Sequence, residues 1–96
     1  MISSKQRSKL RSMAHHLKPI VVIGISGITD GVIHSTNIAL ESHELIKVKF
    51  SENKTLKDEF IDVVENKLSA FVIGRIGHTL IVFRHQDDEN KRKINI

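Results

Sequence analysis

The spacing of apolar positions along the chain predicts three helices. Each one opens on a capping signature, formed by Ser3 with Gln6, by Thr29, and by Thr55 with Asp58. Behind each cap, apolar residues recur three and four positions apart, which is the period of a helix with one buried face. The predicted helices cover about residues 4–17, 29–42 and 55–67, and the apolar stripe of the first consists of Leu10, Met13, Ala14 and Leu17.

The apolar residues outside these helices predict four strands. The continuous apolar run at residues 20–23, which follows Pro19, is typical of a strand buried on both faces. Residues 70–73 and 79–84 predict a hairpin whose loop is residues 74–78. Residues 45–50 alternate, which predicts a half-exposed strand with Ile46, Val48 and Phe50 on one face and Leu45, Lys47 and Lys49 on the other.

The order of these elements, α-β-α-β-α-β-β, predicts an α+β (α/β-like) fold in a single domain. Helical crossovers make neighbouring strands parallel and a hairpin makes them antiparallel, so the four-stranded sheet should be mixed. The length of 96 residues with 40% hydrophobic content fits one core. We place the domain at residues 1–84 and expect residues 85–96 to form a polar, frayed tail.

The composition limits the cellular compartments and the kinds of site that the chain can have. The chain contains no cysteine, which excludes a disulfide framework, a thiolate nucleophile and a cysteine zinc site. No apolar run approaches the length of a membrane span, and the basic N-terminus is not followed by the hydrophobic stretch of a signal peptide. We therefore expect a cytoplasmic protein without a membrane partner.

Charge is distributed unevenly along the chain. Residues 1–49 hold seven lysines and arginines against three acidic residues, whereas the remaining residues hold eight of each. The first acidic residue is Asp30. Such an asymmetry indicates an anionic partner, with nucleic acid the commonest kind, or else a solvated basic face without a partner.

The most informative segment for function is a short glycine loop between the first predicted strand and the second helix. It consists of Gly24, Ile25, Ser26 and Gly27 and leads to the N-cap Thr29. Glycine lets backbone amides approach a ligand closely, and the helix N-terminus adds partial positive charge, so a phosphate could bind there. The alternative is a tight turn that needs only glycine dihedral angles. Nucleic-acid modules of the KH type clamp a backbone with a loop of this spacing.

Several segments together resemble the CRM domain, in the single-domain, YhbY-like form found in bacteria. The resemblance covers roughly residues 3–84 and rests on the following residues: Leu17, Lys18, Pro19, Val22, Ile23, Gly24, Gly27, Thr29, Glu44, Leu45, Ile46, Lys47, Val48, Lys49, Val72, Ile73, Gly74, Leu80, Val82 and Arg84. It implies a fold similar to the C-terminal domain of translation initiation factor three and related to KH domains. It also implies RNA binding, with ribosomal RNA in large-subunit precursors (pre-50S particles) as the partner, by a monomer without a cofactor.

The expected RNA-binding residues are the glycine loop with Thr29 and the cations around it. KH-type loops often carry a basic residue between the glycines, and Ile25 and Ser26 occupy those positions here, so positive charge must come from elsewhere. The candidate cations are Lys5, Arg7, Lys9, Arg11, Lys18, Lys47, Lys49 and Arg75. Arg75 lies in a second stretch with the same glycine spacing, residues 74–77, which is expected to close the hairpin; whether Arg75 and His78 join the surface stays open.

Other classes of function find less support. Ser26 is not in a nucleophile elbow and no P-loop is present, so we expect no enzyme and no small-molecule substrate. A dinucleotide-binding half would place Glu44 at the ribose, but the three-glycine fingerprint is absent. The six histidines show no metal-ligand spacing. A protein-interaction module remains the alternative.

The aromatic residues narrow the mode of RNA binding. The chain has no Trp or Tyr, and its four phenylalanines, Phe50, Phe60, Phe71 and Phe83, all lie in core-like patterns. Stacking of splayed bases should therefore contribute little, and recognition should depend on phosphates and RNA shape. Such binding weakens as salt rises, because each neutralised phosphate releases counterions.

Overall fold

The helices and strands follow the predicted order. The computed structural model describes residues 2–51 and 56–96. Within them, the elements are α1 (Ser4–Ala14), β1 (Val21–Ile23), α2 (Asp30–His43), β2 (Leu45–Phe50), α3 (Leu56–Asn66), β3 (Phe71–Ile76), β4 (Thr79–Phe83) and a short 3-10 helix (Glu89–Lys91). The prediction of three helices with a mixed four-stranded sheet is confirmed.

The helix starts follow the predicted caps. Ser3 accepts a hydrogen bond from the amide of Gln6 at 3.1 Å, and the Gln6 side chain accepts from the amide of Ser3 at 3.0 Å, which is a complete capping box. Thr29 accepts from the amide of Val32 at 3.1 Å and caps α2. The third predicted cap, at Thr55, lies outside the described residues.

Helix α1 is shorter than its apolar spacing predicts. It ends at Ala14 instead of residue 17, and the chain beyond it tightens into i→i+3 hydrogen bonds, from the amide of His15 to Ser12 O and from that of Leu17 to Ala14 O. The chain turns here because Ile20 must reach β2, where its amide donates to Lys47 O at 3.2 Å. Met13 and Leu17 are consequently exposed instead of buried.

The sheet has the strand order β1-β2-β4-β3. Strand β1 pairs with β2 in parallel, with Val22 opposite Lys49. Strands β2 and β4 are antiparallel, as are β4 and β3, and a bulge between Val72 and Gly74 interrupts the last pairing. The crossover helix and the terminal hairpin thus produce the parallel and antiparallel halves that the sequence predicts.

Two hydrophobic clusters fill the two faces of the sheet. Helices α2 and α3 cover one face, where Ile46, Val48 and Phe50 of β2 pack with Phe60 of α3, as the alternation predicts. Helix α1 covers part of the other face, where Leu10 packs against Ile73, Ile81 and Phe83. Complete burial of one such side chain contributes about 1.5–3 kcal/mol.

Three details of the strands differ from prediction. Strand β1 is buried on one face only, and the side chain of Val22 is 56% exposed, because α1 does not extend over this edge of the sheet. Strand β3 continues through Gly74 and Arg75 to Ile76, so the hairpin turn is only Gly77 and His78. Phe71 is exposed, whereas the other three phenylalanines are buried.

The C-terminal segment, residues 85–96, is held by a buried glutamate and is not frayed. Glu44 is fully buried at the end of α2. Its carboxylate accepts hydrogen bonds from the amide of Gln86 at 2.8 Å, from that of Lys93 at 2.6 Å and from that of Ile94 at 2.9 Å. Ile94 is thereby inserted into the cluster beneath α1. The acidic residue that a dinucleotide fold would direct at a ribose is instead a structural clamp.

These bonds also determine the ionisation of Glu44. Burial by itself raises the pKa of the carboxyl group, but the backbone hydrogen bonds from Gln86, Lys93 and Ile94, together with the charge of His85, hold the pKa of Glu44 below its usual value. The ionised form is therefore the one that the folded state stabilises.

Candidate nucleic-acid interface

The glycine loop (residues 24–27) projects from one end of the sheet as a tight turn. The amide of Gly27 donates to Gly24 O at 3.0 Å, and the amide of Thr29 donates to Gly27 O at 3.2 Å. Gly27 has φ +75°, a left-handed conformation that favours glycine, whereas a Cβ at Gly24 would meet only ordinary contact with Ser51 Oγ at 3.5 Å. The backbone therefore requires glycine at only one of these two positions, Gly27.

The two residues between the glycines face solvent. The side chain of Ile25 is 91% exposed, and Ser26 is exposed beside it. Within residues 2–51 and 56–96, no acceptor bonds the amides of Ile25 and Ser26, while that of Gly27 is used to close the turn. With respect to the described residues, the loop therefore offers two backbone donors without a partner just before the N-terminus of α2, which is the arrangement that an anionic oxygen can bind.

The start of α2 also carries an acidic residue. Asp30 is the first residue of the helix and is exposed. A carboxylate at this position interacts favourably with the helix dipole and competes with an anionic ligand for it. A phosphate at the loop would therefore depend on the donors of Ile25 and Ser26 and on nearby cations more than on the helix terminus.

Lys57 connects the glycine-loop end of the sheet with the β3–β4 turn, and sequence reasoning missed it. This side chain of α3 is buried, and its Nζ donates to Gly77 O at 2.6 Å and lies 3.4 Å from His78 Nδ1. Leu56 lies next to the glycine loop, 3.9 Å from the position of a Cβ on Gly27. A lysine in an amphipathic helix gives no sequence signal of burial, so only the fold could reveal this connection.

An open row of side chains crosses the sheet at the same end. Cross-strand pairing places Val22 beside Lys49, Lys49 beside Thr79, and Thr79 beside Ile76. All four point to the face that α1 covers elsewhere, and here that face is uncovered: Lys49 is exposed and Ile76 is 62% exposed. The open row thus consists of a central cation between two exposed aliphatic side chains.

The cations of α1 do not share that surface, because several are used to hold the helix in place. Arg7 Nη1 donates to Val72 O at 2.8 Å and to Ile73 O at 3.0 Å, and Arg11 Nε donates to Ile73 O at 3.3 Å. Lys9 Nζ donates to Asn95 O at 2.8 Å. Residues two positions apart on a helix point about 200° apart, so Lys9 lies on the opposite flank from both arginines. Lys5 is exposed.

Replacing Arg7 with glutamine should lower the free energy of unfolding by about 1–2 kcal/mol, since two hydrogen bonds from a charged donor to the bulge of β3 are removed. Replacing Lys5 with glutamine should change that free energy by less than about 0.5 kcal/mol, because its side chain is exposed. Urea unfolding of both variants measures the difference. Equal values for the two would contradict the tethering role of Arg7.

The remaining predicted cations lie in three different settings. Arg75 points to the α3 face and pairs with Asp58 at 3.2 Å, in an exposed ion pair that stabilises the fold by no more than about 1 kcal/mol. Lys47 is half-buried and lies two residues before Lys49, on the same face of β2. Lys18 is exposed beside an apolar groove that Leu17 and Ile20 line. Of the eight predicted cations, Lys49 is therefore the one that lies in the open row.

The described residues give little indication of other chemistry. No group of three or more histidine, cysteine, aspartate or glutamate side chains in the described ranges could hold a metal ion. In the same part of the chain, none of the helices combines the length and the apolarity that crossing a bilayer requires.

The chain is similar to known proteins over most of its length. A family model of the CRS1 / YhbY (CRM) domain matches residues 2–84. The chain is 36% identical over 88 residues to an RNA-binding protein of Haemophilus influenzae, covering 91% of this chain and 89% of that one. It is 34% identical over 93 residues to YqeI of Bacillus subtilis, named as a probable RNA-binding protein, with 96% of each chain covered.

The fold also matches a solved structure. A Staphylococcus aureus protein for which RNA binding has been suggested superimposes with a TM-score of 0.77 at 29% identity, covering 99% of this chain and 100% of the other. That match extends beyond residue 84 and so includes the C-terminal segment that Glu44 holds.

Proposed function

The chain belongs to the CRS1 / YhbY (CRM) domain family, and on that basis we propose that its function is to bind RNA. The exposed glycine loop is the observation that supports a specific RNA contact, because the amides of Ile25 and Ser26 have no partner within the described residues. These two amides donate to a phosphate oxygen of the RNA backbone, and the adjoining open row supplies the cation Lys49.

The open row suggests how the rest of the nucleotide is accommodated. Val22 and Ile76 present aliphatic side chains on either side of the cation, where a ribose or the face of a base can pack. No aromatic side chain lies in this row, so base stacking contributes little. Recognition through the backbone and the shape of the RNA follows, and its affinity falls as salt concentration rises.

Ribosomal RNA in precursors of the large subunit is the partner that we propose in the cell. The CRM resemblance implies this partner, and the net charge of +4 favours a polyanion. Sedimentation of cell extracts on sucrose gradients tests it: the protein should migrate with large-subunit precursors and leave them after ribonuclease treatment. A protein that stays at the top of the gradient would contradict this part of the proposal while leaving RNA binding itself open to direct measurement.

Replacing Lys49 with glutamine should weaken RNA binding and reduce the slope of log K against log salt by about 0.7–0.9, the value for one phosphate that is no longer neutralised. Arg75 provides a matched control, because Arg75→Gln removes the same charge from the other face of the sheet. Filter binding of a ribosomal RNA fragment at several salt concentrations measures both variants. A larger decrease in affinity for Arg75→Gln would assign the interface to the α3 face and refute the role of the open row.

A protein-interaction module is the rival function. The protein has an exposed apolar groove of about 340 Å³, which Met13, Leu17 and Ile20 line, and a protein partner would bind there. Binding to precursor particles that survives both ribonuclease and high salt would favour that function over direct RNA contact.

A further inference from the structure

A polar cleft of about 560 Å³ lies along the second half of α2, away from the glycine loop. Its walls are the second half of α2, the turn between α3 and β3, and the chain that follows β4. Asn37, the residue of α2 that bonds Arg84, lies seven residues after Asp30 and is therefore about 10 Å along the helix from its start, at 1.5 Å per residue. Neither the sequence patterns nor the proposed RNA contact accounts for this cleft.

The central group in the cleft is the guanidinium of Arg84, which is fixed by its neighbours. Nη1 donates to Asn37 Oδ1 and to Leu68 O, both at 2.8 Å, and Nη2 donates to Asn37 O at 3.2 Å. These three bonds link α2 to the turn after α3. They hold the guanidinium plane in one orientation, so little side-chain entropy remains to be lost when a ligand binds.

The same three bonds leave one edge of the guanidinium available. A guanidinium has five N–H donors, and those that remain are Nε–H and the second proton of Nη2. No acceptor bonds Nε within the described residues, and no polar side-chain atom there is both buried and unpaired, so Nε reaches solvent. Nε and Nη2 form the edge with which arginine grips a phosphate or a carboxylate through two parallel hydrogen bonds.

The lining of the cleft adds cations and a hydroxyl around this edge. Lys67 and Lys91 line it and are exposed, and Ser69 lines it from a left-handed backbone conformation, φ +52°, where glycine is usual. Two acidic residues, Glu41 and Asp87, also lie in the lining. The cations exceed the acids by one, which favours an anion of low charge density such as a single backbone phosphate.

A shallow groove continues from the cleft toward the start of α2. It shares Asn37, Lys67 and Leu68 with the cleft and reaches Ile33 and Asp30 at the other end. A strand that leaves the glycine loop along α2 is therefore led to Arg84.

We propose that Arg84, with Lys67 and Lys91, forms a second phosphate-binding site, which holds a bound RNA beside the second half of α2. The inference rests on the proposed function and deepens it: RNA is contacted at two points, about 10 Å apart along α2, and an RNA too short to span them can occupy only one. Linking the two contacts raises the affinity of long RNA above that of either contact alone.

Substitution of the two exposed lysines tests the site without disturbing the bonds that Arg84 makes. The double variant Lys67→Gln/Lys91→Gln should bind a long oligouridylate, which spans both sites, at least severalfold more weakly. Its slope of log K against log salt should fall by about 0.7 for each phosphate that the variant no longer neutralises. Lys93→Gln is the control, because Lys93 is exposed and does not line the cleft, so the variant should leave binding unchanged. Circular dichroism establishes that all variants are folded.

A short oligouridylate separates this inference from the function on which it rests. It should bind the double variant as tightly as it binds the unmodified protein when the glycine loop is the principal site. If the glycine-loop variant Ile25→Asp binds long RNA more weakly and the double variant binds it unchanged, the second site is wrong and the proposed function stands. Unchanged binding in both variants would overturn both proposals.

Inorganic phosphate provides an independent readout. Titration with phosphate should shift the Arg84 Nε–H resonance in a ¹H–¹⁵N spectrum, and the shift should be weaker in the double variant. Oligoaspartate serves as the carboxylate probe. If oligoaspartate shifts this resonance and neither phosphate nor RNA does so, the cleft binds an acidic peptide and the proposal is wrong.

Discussion

Replacing Glu44 with alanine should lower the free energy of unfolding by about 3 kcal/mol, a large share of the roughly 5–15 kcal/mol that is usual for a small domain. The variant leaves three backbone N–H groups, those of Gln86, Lys93 and Ile94, without their acceptor; the bond from Ile94 is buried and the other two are partly buried. Each such unpaired donor is unfavourable by about 1–3 kcal/mol unless water reaches it. The C-terminal segment should therefore detach, and urea unfolding measures the decrease in stability.

The same residue predicts how stability changes with pH. Because the pKa of Glu44 is lowered in the folded state, its contribution is complete above the ordinary glutamate pKa of about 4.3 and is lost as pH falls through the lower, folded value. Stability should decline in that acidic range in the unmodified protein. Glu44→Gln should lack this component, so the two unfolding curves should converge at the acid end.

Glu41→Gln is the matched control for both measurements, because Glu41 lies on the same helix and is exposed. Its unfolding free energy should stay within about 0.5 kcal/mol of the unmodified value. If Glu44→Ala proved as stable as Glu41→Gln, the bonds to the C-terminal segment would contribute nothing to the fold.

Replacing Ile25 with aspartate should weaken RNA binding by about tenfold, or about 1.4 kcal/mol. A carboxylate between the two exposed amides should repel the phosphate that we propose they bind, and at about 4 Å one such charge pair is worth about 1–4 kcal/mol. The side chain is 91% exposed, so the substitution should leave stability unchanged. Filter binding of the same ribosomal RNA fragment measures the effect.

Ile25→Asn provides the control, since it has nearly the shape of the aspartate and no charge. Its affinity should remain within about twofold of the unmodified protein, because the contact is made by the backbone. If both variants bound RNA equally weakly, the isoleucine side chain itself would be the contact. Gly27 is a poor position for this test, because its φ of +75° would strain most substituted residues and mix folding with binding.

Prediction from sequence is accurate where one local signal determines the structure. The capping residues Ser3 and Thr29, the alternation of β2 and the order of the elements are of this kind. The exposure of Val22 has no such local signal, because it depends on how far α1 reaches across the sheet. An apolar run is compatible with either outcome, so only the packing of α1 decides it.

The candidate interface divides in the same way. Glycine spacing indicates the loop, and alternation indicates that Lys49 faces outward. The bonds of Arg7 to β3 and of Lys57 to Gly77 join residues that are 65 and 20 positions apart. A basic helix has the same sequence pattern whether its arginines face a ligand or a neighbouring strand, so the pattern alone could not separate the tethering cations of α1 from cations that face RNA.

The part of the chain that carries the family pattern is shorter than the unit that folds. The pattern ends at residue 84, yet among the described residues every donor to the carboxylate of Glu44 lies after it, at residues 86, 93 and 94. A fragment cut at the end of the family model would keep an anion in its interior and lose the groups that solvate it. Residues 85–96 are polar and lie beyond the family pattern, yet their backbone amides take the place of water around the buried carboxylate of Glu44.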